Sequence, residues 1–283
     1  MSEFLAILLQ YLLPKKMLTR LAGRLAVRRG GAFSATMIAV FARRYRVDMT
    51  EAAEPDMRAY ASFNDFFTRA LRDGARPLAA GGLVCPVDGA ISECGDIDGS
   101  QIFQAKGHCY STLALLGGDA GLAARFESGS FATLYLSPRD YHRIHMPCAG
   151  RLLRMIHVPG RLFSVNPAMT RGIPELFARN ERVVCVFDSE TGPFALVLVG
   201  AAIVGSVATT WHGVVMPPHG GQARIWHYED GGIMLARGAE MGRFLLGSTV
   251  VALFAHPGVR FAPGWATGKP VRMGEAMGRA GVA

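Results

Sequence analysis

The run Phe244-Leu245-Leu246-Gly247-Ser248-Thr249-Val250-Val251-Ala252-Leu253-Phe254 is apolar except at its central Gly-Ser-Thr. Such a run reads as buried strand, and a glycine inside a strand pattern marks a bend or a close approach of backbones. Working outward, the same texture recurs at 132–136, 183–187 and 195–199, where short β-branched or aromatic runs are separated by Gly, Pro and Asp. From about Gly82 onward the chain is therefore β-rich. The N-terminal part has a different period. After Pro14, Leu18, Leu21 and Leu25 recur at helical spacing while Arg20, Arg24 and Arg28 recur every fourth residue on another face, a basic amphipathic helix. Residues 34–46 read as a second helix. Ser62 followed by Asp65 resembles a capping box that opens a third, with Phe63, Phe66, Phe67 and Leu71 on its buried face. The expected fold class is α+β, a β-rich core with N-terminal amphipathic helices, divided into a helical region 1–75 and a β-rich body 76–283.

Composition narrows the function. The chain has 283 residues, half of them apolar, so a packed core is affordable and disorder is not the default. Its net charge of +8 is concentrated: residues 1–46 carry nine Lys or Arg against the single acid Glu3, and the rest is balanced. A nucleic-acid binder more often spreads its basic surface over the fold with exposed aromatics, so no nucleic acid is expected. A basic amphipathic appendage suits an anionic membrane surface instead, where each Lys or Arg contributes on the order of 1 kcal/mol. The competing reading is a helix packed on its own core with a solvated basic face. The apolar run 4–13 falls short of the roughly 20 residues a span needs, and its charges follow it, unlike those of a signal peptide. Five cysteines, odd in number and without a CxxC pair, argue against a disulfide framework or a zinc ribbon and for a reducing setting.

Four segments hold polar residues that a plain β-core does not ask for. Pro86-Val87-Asp88-Gly89 places an acid in a tight turn, where capping of backbone amides is the ordinary job. Tyr135-Leu136-Ser137-Pro138-Arg139-Asp140-Tyr141-His142-Arg143-Ile144-His145-Met146-Pro147-Cys148 packs two histidines three residues apart, able to face one pocket or, with Asp88 or Cys148, to bind a metal. Leu162-Phe163-Ser164-Val165-Asn166-Pro167, with residues 177–182, sets apolar and amide groups side by side, as a lipid-headgroup pocket or a loop beside a core would. Met241-Gly242-Arg243-Phe244 then introduces Gly247-Ser248-Thr249.

Together these four segments resemble the phosphatidylserine decarboxylase family, from about Tyr60 to Val251 and more weakly at 271–278. The resemblance implies a proenzyme that cuts itself between Gly247 and Ser248 into a large chain, 1–247, and a small chain, 248–283, turning Ser248 into a pyruvoyl group. It implies decarboxylation of phosphatidylserine to phosphatidylethanolamine and CO2 through a Schiff base with that group, in phospholipid biosynthesis. Loss of CO2 from an amino acid leaves an electron pair on the α-carbon, and no ordinary side chain is an acceptor for it. Making the group requires the Ser248 hydroxyl to attack the Gly247 carbonyl. The resulting ester breaks by β-elimination, and hydrolysis then releases ammonia. A hydroxyl needs a base and the base an orienting carboxylate, roles the resemblance gives to His145 and Asp88, which are expected in mutual hydrogen-bond contact. It likewise puts His142 near the substrate carboxylate or headgroup, with Tyr135, Phe163 and Asn166 as further pocket residues and no metal. Expected partners are the lipid, an anionic membrane surface on the cytoplasmic side of the cell membrane and the two chains of one precursor, with room for a homodimer. Two other classes use the same atoms. A serine hydrolase would keep the chain intact, but the GxSxG elbow is missing around Ser248; a β-rich membrane-surface module would carry structural histidines and no ketone.

Overall fold

The computed structural model describes residues 3–201, 206–215, 222–245, 249–255 and 258–281. Helices α1 (Glu3–Leu12), α2 (Lys15–Ala26) and α3 (Gly31–Tyr45) are followed by the short α4 (Phe63–Phe67), and the strands begin at Leu83. Ser62 caps the helix as expected: its hydroxyl oxygen accepts from the Asp65 amide at 3.1 Å, and the hydroxyl donates to the Asp65 carboxylate at 2.8 Å. Phe63, Phe66 and Phe67 are buried against Ile38 and Ala42 of α3 in a small core of the helical region. The helix they open is only one turn long, so Leu71 lies beyond it, half-buried.

The body centres on a nine-stranded antiparallel sheet. Its middle runs Arg182–Asp188, Phe194–Val199, Thr249–Phe254, Ser130–Tyr135, Gly89–Asp96 in spatial order. Phe194–Val199 and Thr249–Phe254 are buried at every position because both faces of the sheet are covered. One face carries Leu134, Leu196, Leu198 and Val250, and the other carries Phe131, Val197, Val251 and Leu253. The opening run is thus two strands. Glu240–Phe244 belongs to a separate four-stranded sheet beside Arg143–His145, whereas Thr249–Phe254 enters the large one, so the chain changes sheets across the Gly-Ser-Thr.

The N-terminal helices are docked rather than appended. Ile7 of α1 stands where a side chain on Gly172 would project, the Gln10 side chain accepts from the Ser164 amide at 3.0 Å, and Tyr11 packs on Phe163 with ring centroids 5.2 Å apart. The buried residues of α2 are Thr19 and Ala26, with Ala22, Gly23 and Leu25 half-buried, so its contact face is mostly small. Large apolar side chains nonetheless face outward: Leu12 at the end of α1 and Met17 and Leu21 of α2 are 71%, 62% and 56% exposed. Among the described residues no single helix is long and apolar enough to cross a membrane; Met17–Ala26 and Gly31–Tyr45 qualify only as a pair bent by 111°.

Candidate functional site

Three neighbouring strands bring the site together at one sheet end. Tyr135 is registered with Ala90 on one side and Thr249 on the other. Gly89 allows this approach, since a Cβ there would collide with the Tyr135 carbonyl. Asp88, the residue before Gly89, is thereby held at the same end. The second sheet contributes from the other direction: the Phe244 amide donates to the His142 carbonyl at 3.0 Å, and the Leu245 amide donates to Ser206 O at 3.0 Å. Gly247 and Ser248, the expected scissile pair, lie outside the described residues. Both flanks of the link that carries them, Leu245 and Thr249, are described, and the Thr249 hydroxyl is buried with no partner among the described residues.

His142 is fully buried, its ring 4.1 Å from that of Phe67. A carbonyl only accepts, so Nδ1–H donates to Asp140 O at 2.8 Å. Nε2 is buried without a partner among the described residues. Burial pushes the imidazole down to about 3, helped by nearby Arg69 and opposed by the Asp140 bond, so the ring is neutral. His145 is 8% exposed. Its Nδ1–H donates to Gly238 O at 2.8 Å, and its Nε2 accepts from the Tyr141 hydroxyl at 3.0 Å. Burial lowers its pKa as well, against the raising influence of the Gly238 bond, Glu240 and Asp88.

The expected contact between His145 and Asp88 is absent from the hydrogen bonds of either group. Asp88 is taken by other donors: Arg76 Nε reaches both carboxylate oxygens at 3.0 and 3.1 Å, and the Met273 amide donates to Oδ1 at 2.8 Å. Arg76 in turn pairs with Glu51 at 2.7 Å, and Glu51 with Arg272 at 2.8 Å. The carbonyl of Gly238 does the orienting that was expected of the carboxylate. Asp88→Asn should therefore cost about 2 kcal/mol of stability, the worth of hydrogen bonds to a charged group, because the Arg76 side chain is 5% exposed. A urea midpoint within error of wild type would show that Asp88 does not anchor Arg76.

Two clefts meet beside Tyr135. One of about 510 Å³ is polar, lined by Asp88, Arg69, Arg76, Asp140 and Tyr141 among others. The other, of about 480 Å³, includes Ile91, Val165, Pro167 and Thr170. Tyr135, Ala90 and Pro167 line both. Phe163 and Asn166 line neither. Phe163 is core, 2% exposed, with the Lys15 ammonium 4.5 Å from its ring centroid; Asn166 caps the helix Pro167–Gly172 through its side-chain oxygen and the Met169 amide, 3.0 Å apart. Among the described residues no group of three or more His, Cys, Asp or Glu is arranged as a metal site.

Comparison with known proteins decides the family. The family model described as phosphatidylserine decarboxylase matches residues 63–279. The chain belongs to the phosphatidylserine decarboxylase family. A second family model, described as PSD, matches residues 5–46, extending the likeness to the N-terminal helices where the sequence motifs had not reached. Curated relatives are each named phosphatidylserine decarboxylase proenzyme: one from Methylibium petroleiphilum is 68% identical, one from Variovorax paradoxus 67% and one from Acidovorax ebreus 65%. Each alignment covers 98% of both chains.

Within this decarboxylase-family chain, sequence reading missed Arg76, Gly238, Tyr141 and Arg69. Tyr141 lay inside the quoted histidine segment and could have been singled out as a hydroxyl four residues from His145. Arg76 and Gly238 sit in loops without periodicity, and only the fold brings them to Asp88 and His145.

Proposed function

We propose that this chain is the precursor of a self-processing decarboxylase that converts phosphatidylserine to phosphatidylethanolamine and CO2, with Ser248 as the source of a pyruvoyl group. The observation that carries the reading is the convergence of Asp88, Tyr135, His142 and Thr249 on the link 245–249 from two sheets. Chain connectivity keeps residue 248 one peptide, about 3.8 Å between Cα atoms, from Thr249. A pyruvoyl group at that position would supply the ketone that takes the substrate amine and the acceptor for the electron pair left by CO2. Support for such a group is that, among the described residues, His142 Nε2 and the Thr249 hydroxyl are buried without partners, while the His142 carbonyl and Thr249 itself stand at the two ends of the link.

In this reading His145, neutral and held by Gly238, takes the Ser248 proton during processing, with the Tyr141 hydroxyl on its Nε2 as the group to be displaced or to relay. Tyr135 stands at the junction of the two clefts, where headgroup and lipid tail part. The more apolar cleft would receive the start of an acyl chain. The test is an intact-mass measurement of purified protein together with hydrazine treatment. Two fragments, the shorter beginning at position 248 and labelled by hydrazine, are expected. One unlabelled chain that nonetheless acts on the lipid would replace this reading with the hydrolase-like one.

The same protein acts at an anionic bilayer in this proposal, peripheral to the cytoplasmic face of the cell membrane. The support is the outward set of Leu12, Met17 and Leu21 on helices whose packed faces are elsewhere, together with the basic residues around them. Because α1 roofs Phe163, deletion of residues 1–30 would uncover core and confuse the result. Leu12→Glu with Leu21→Glu instead leaves every packed residue in place. Pelleting with phosphatidylglycerol vesicles should fall at least about tenfold, since each change removes burial of a leucine worth roughly 1.5–3 kcal/mol. Undiminished pelleting would put the membrane face elsewhere.

A further inference from the structure

The polar cleft contains a buried cation with no ion-pair partner among the described residues. Arg69 is 5% exposed, yet no carboxylate among the described residues forms an ion pair with it. Its Nη2 donates to the Arg139 carbonyl at 3.1 Å, its guanidinium lies 5.5 Å from the Phe66 ring centroid, and its Nε is buried without any acceptor among the described residues. The acids of the cleft are held by other donors, Asp48 by the Thr50 amide and hydroxyl at 2.9 and 2.7 Å. Asp88 and Glu51 are held by Arg76 and Arg272, and Asp140 accepts from the Ser137 amide at 2.6 Å. A buried charge with an unfilled donor is expensive, and burial lowers the Arg69 pKa from its ordinary value despite the opposing pull of Tyr60, Asp88, Asp140 and Asp48. An arriving anion would remove that penalty.

Two residues before Arg69, Phe67 packs on His142, so one short segment carries both the apolar wall of the histidine and this cation. We infer that Arg69 is the anchor for the phosphodiester of the phospholipid headgroup in the polar cleft. This rests on the decarboxylase reading. The substrate offers two anions, and the chemistry selects between them. The carboxylate charge moves off as CO2 departs, so a fixed cation on it would hold the substrate more tightly than the transition state and oppose the reaction. The phosphodiester keeps its charge from substrate to product. A guanidinium bound there contributes equally throughout, which lowers KM and leaves kcat alone. Guanidinium is also suited to paired contact with phosphate oxygens.

The experiment uses full-length processed protein and dihexanoyl-phosphatidylserine, with glycerophosphoethanolamine and ethanolamine as competing probes. If wild type forms no phosphatidylethanolamine, the decarboxylase reading itself fails. Given activity, glycerophosphoethanolamine should compete at concentrations at least about tenfold below ethanolamine, and equal inhibition by the two would overturn the inference. Arg69→Met should raise KM about 10- to 100-fold, the range of a charged hydrogen bond, with kcat changed no more than a few-fold, and should erase the difference between the probes. Should that variant not fold, Arg69→Lys decides: a charge without the planar fork should show a smaller rise in KM and a narrowed difference. A fall in kcat at constant KM, or an unchanged probe ratio in either variant, would assign Arg69 to holding the Arg139 loop and overturn the proposal.

Discussion

Ser248→Ala should leave a single 30.4 kDa chain that hydrazine does not label and that releases no CO2 from phosphatidylserine. The loss is complete rather than graded, because the hydroxyl is the only atom of residue 248 able to attack the preceding carbonyl and become the leaving ester oxygen. His145→Ala should give the same uncleaved chain, with processing slowed at least about 100-fold, the usual contribution of a positioned base. The base must be neutral to act. Burial lowers the His145 pKa, so the processing rate should stay level as pH falls through the ordinary imidazole value of 6.5 and decline only below it. The measurement is a time course of cleavage by gel after refolding at a series of pH values. Normal cleavage in His145→Ala would remove this histidine from processing and shift attention to His142, whose carbonyl faces Phe244.

The parts of this fold that the sequence disclosed are those whose burial is uniform. Residues 183–187 and 195–199 announced strands because both faces of the sheet are covered and every position must be apolar. Arg224–His227 gave no such signal, being a largely exposed edge with polar side chains at both ends. The change of sheet across Gly247-Ser248-Thr249 was visible only as a break in an apolar run, since nothing local specifies which sheet each half joins. On α2 the leucine stripe was legible but its orientation was not: Thr19 and Ala26 do the packing, and small residues carry little pattern. At the site, His142 and His145 stood out by their spacing, although residues three apart near an extended strand address different neighbours, here Phe67 and Tyr141. Asp88 stood in the right segment, but its hydrogen bonds to Arg76 and the Met273 amide were not legible, because both reach it from stretches whose sequence has no period.

His142→Ala should separate processing from turnover: the chain is cleaved, yet kcat on phosphatidylserine falls at least about 100-fold. The geometry fixes what kind of group is lost. With Nδ1–H committed to the Asp140 carbonyl and the ring held neutral down to about pH 3, Nε2 carries a lone pair and no proton. It can accept from an N–H or O–H but cannot donate to a carboxylate. The expected role beside the substrate is therefore toward the amine end of the headgroup. A carboxylate facing that lone pair would be repelled and left in apolar surroundings against Phe67, which favours its departure as uncharged CO2. His142→Gln, whose side-chain oxygen accepts in the same way, should recover part of the activity, whereas His142→Lys, a donor only, should not. The wild-type kcat should show no inflection near pH 6.5 from this group, because it gains its proton only far below. An inflection there that disappears in His142→Gln would mean that the ring is charged in the working enzyme and donates to the substrate carboxylate after all.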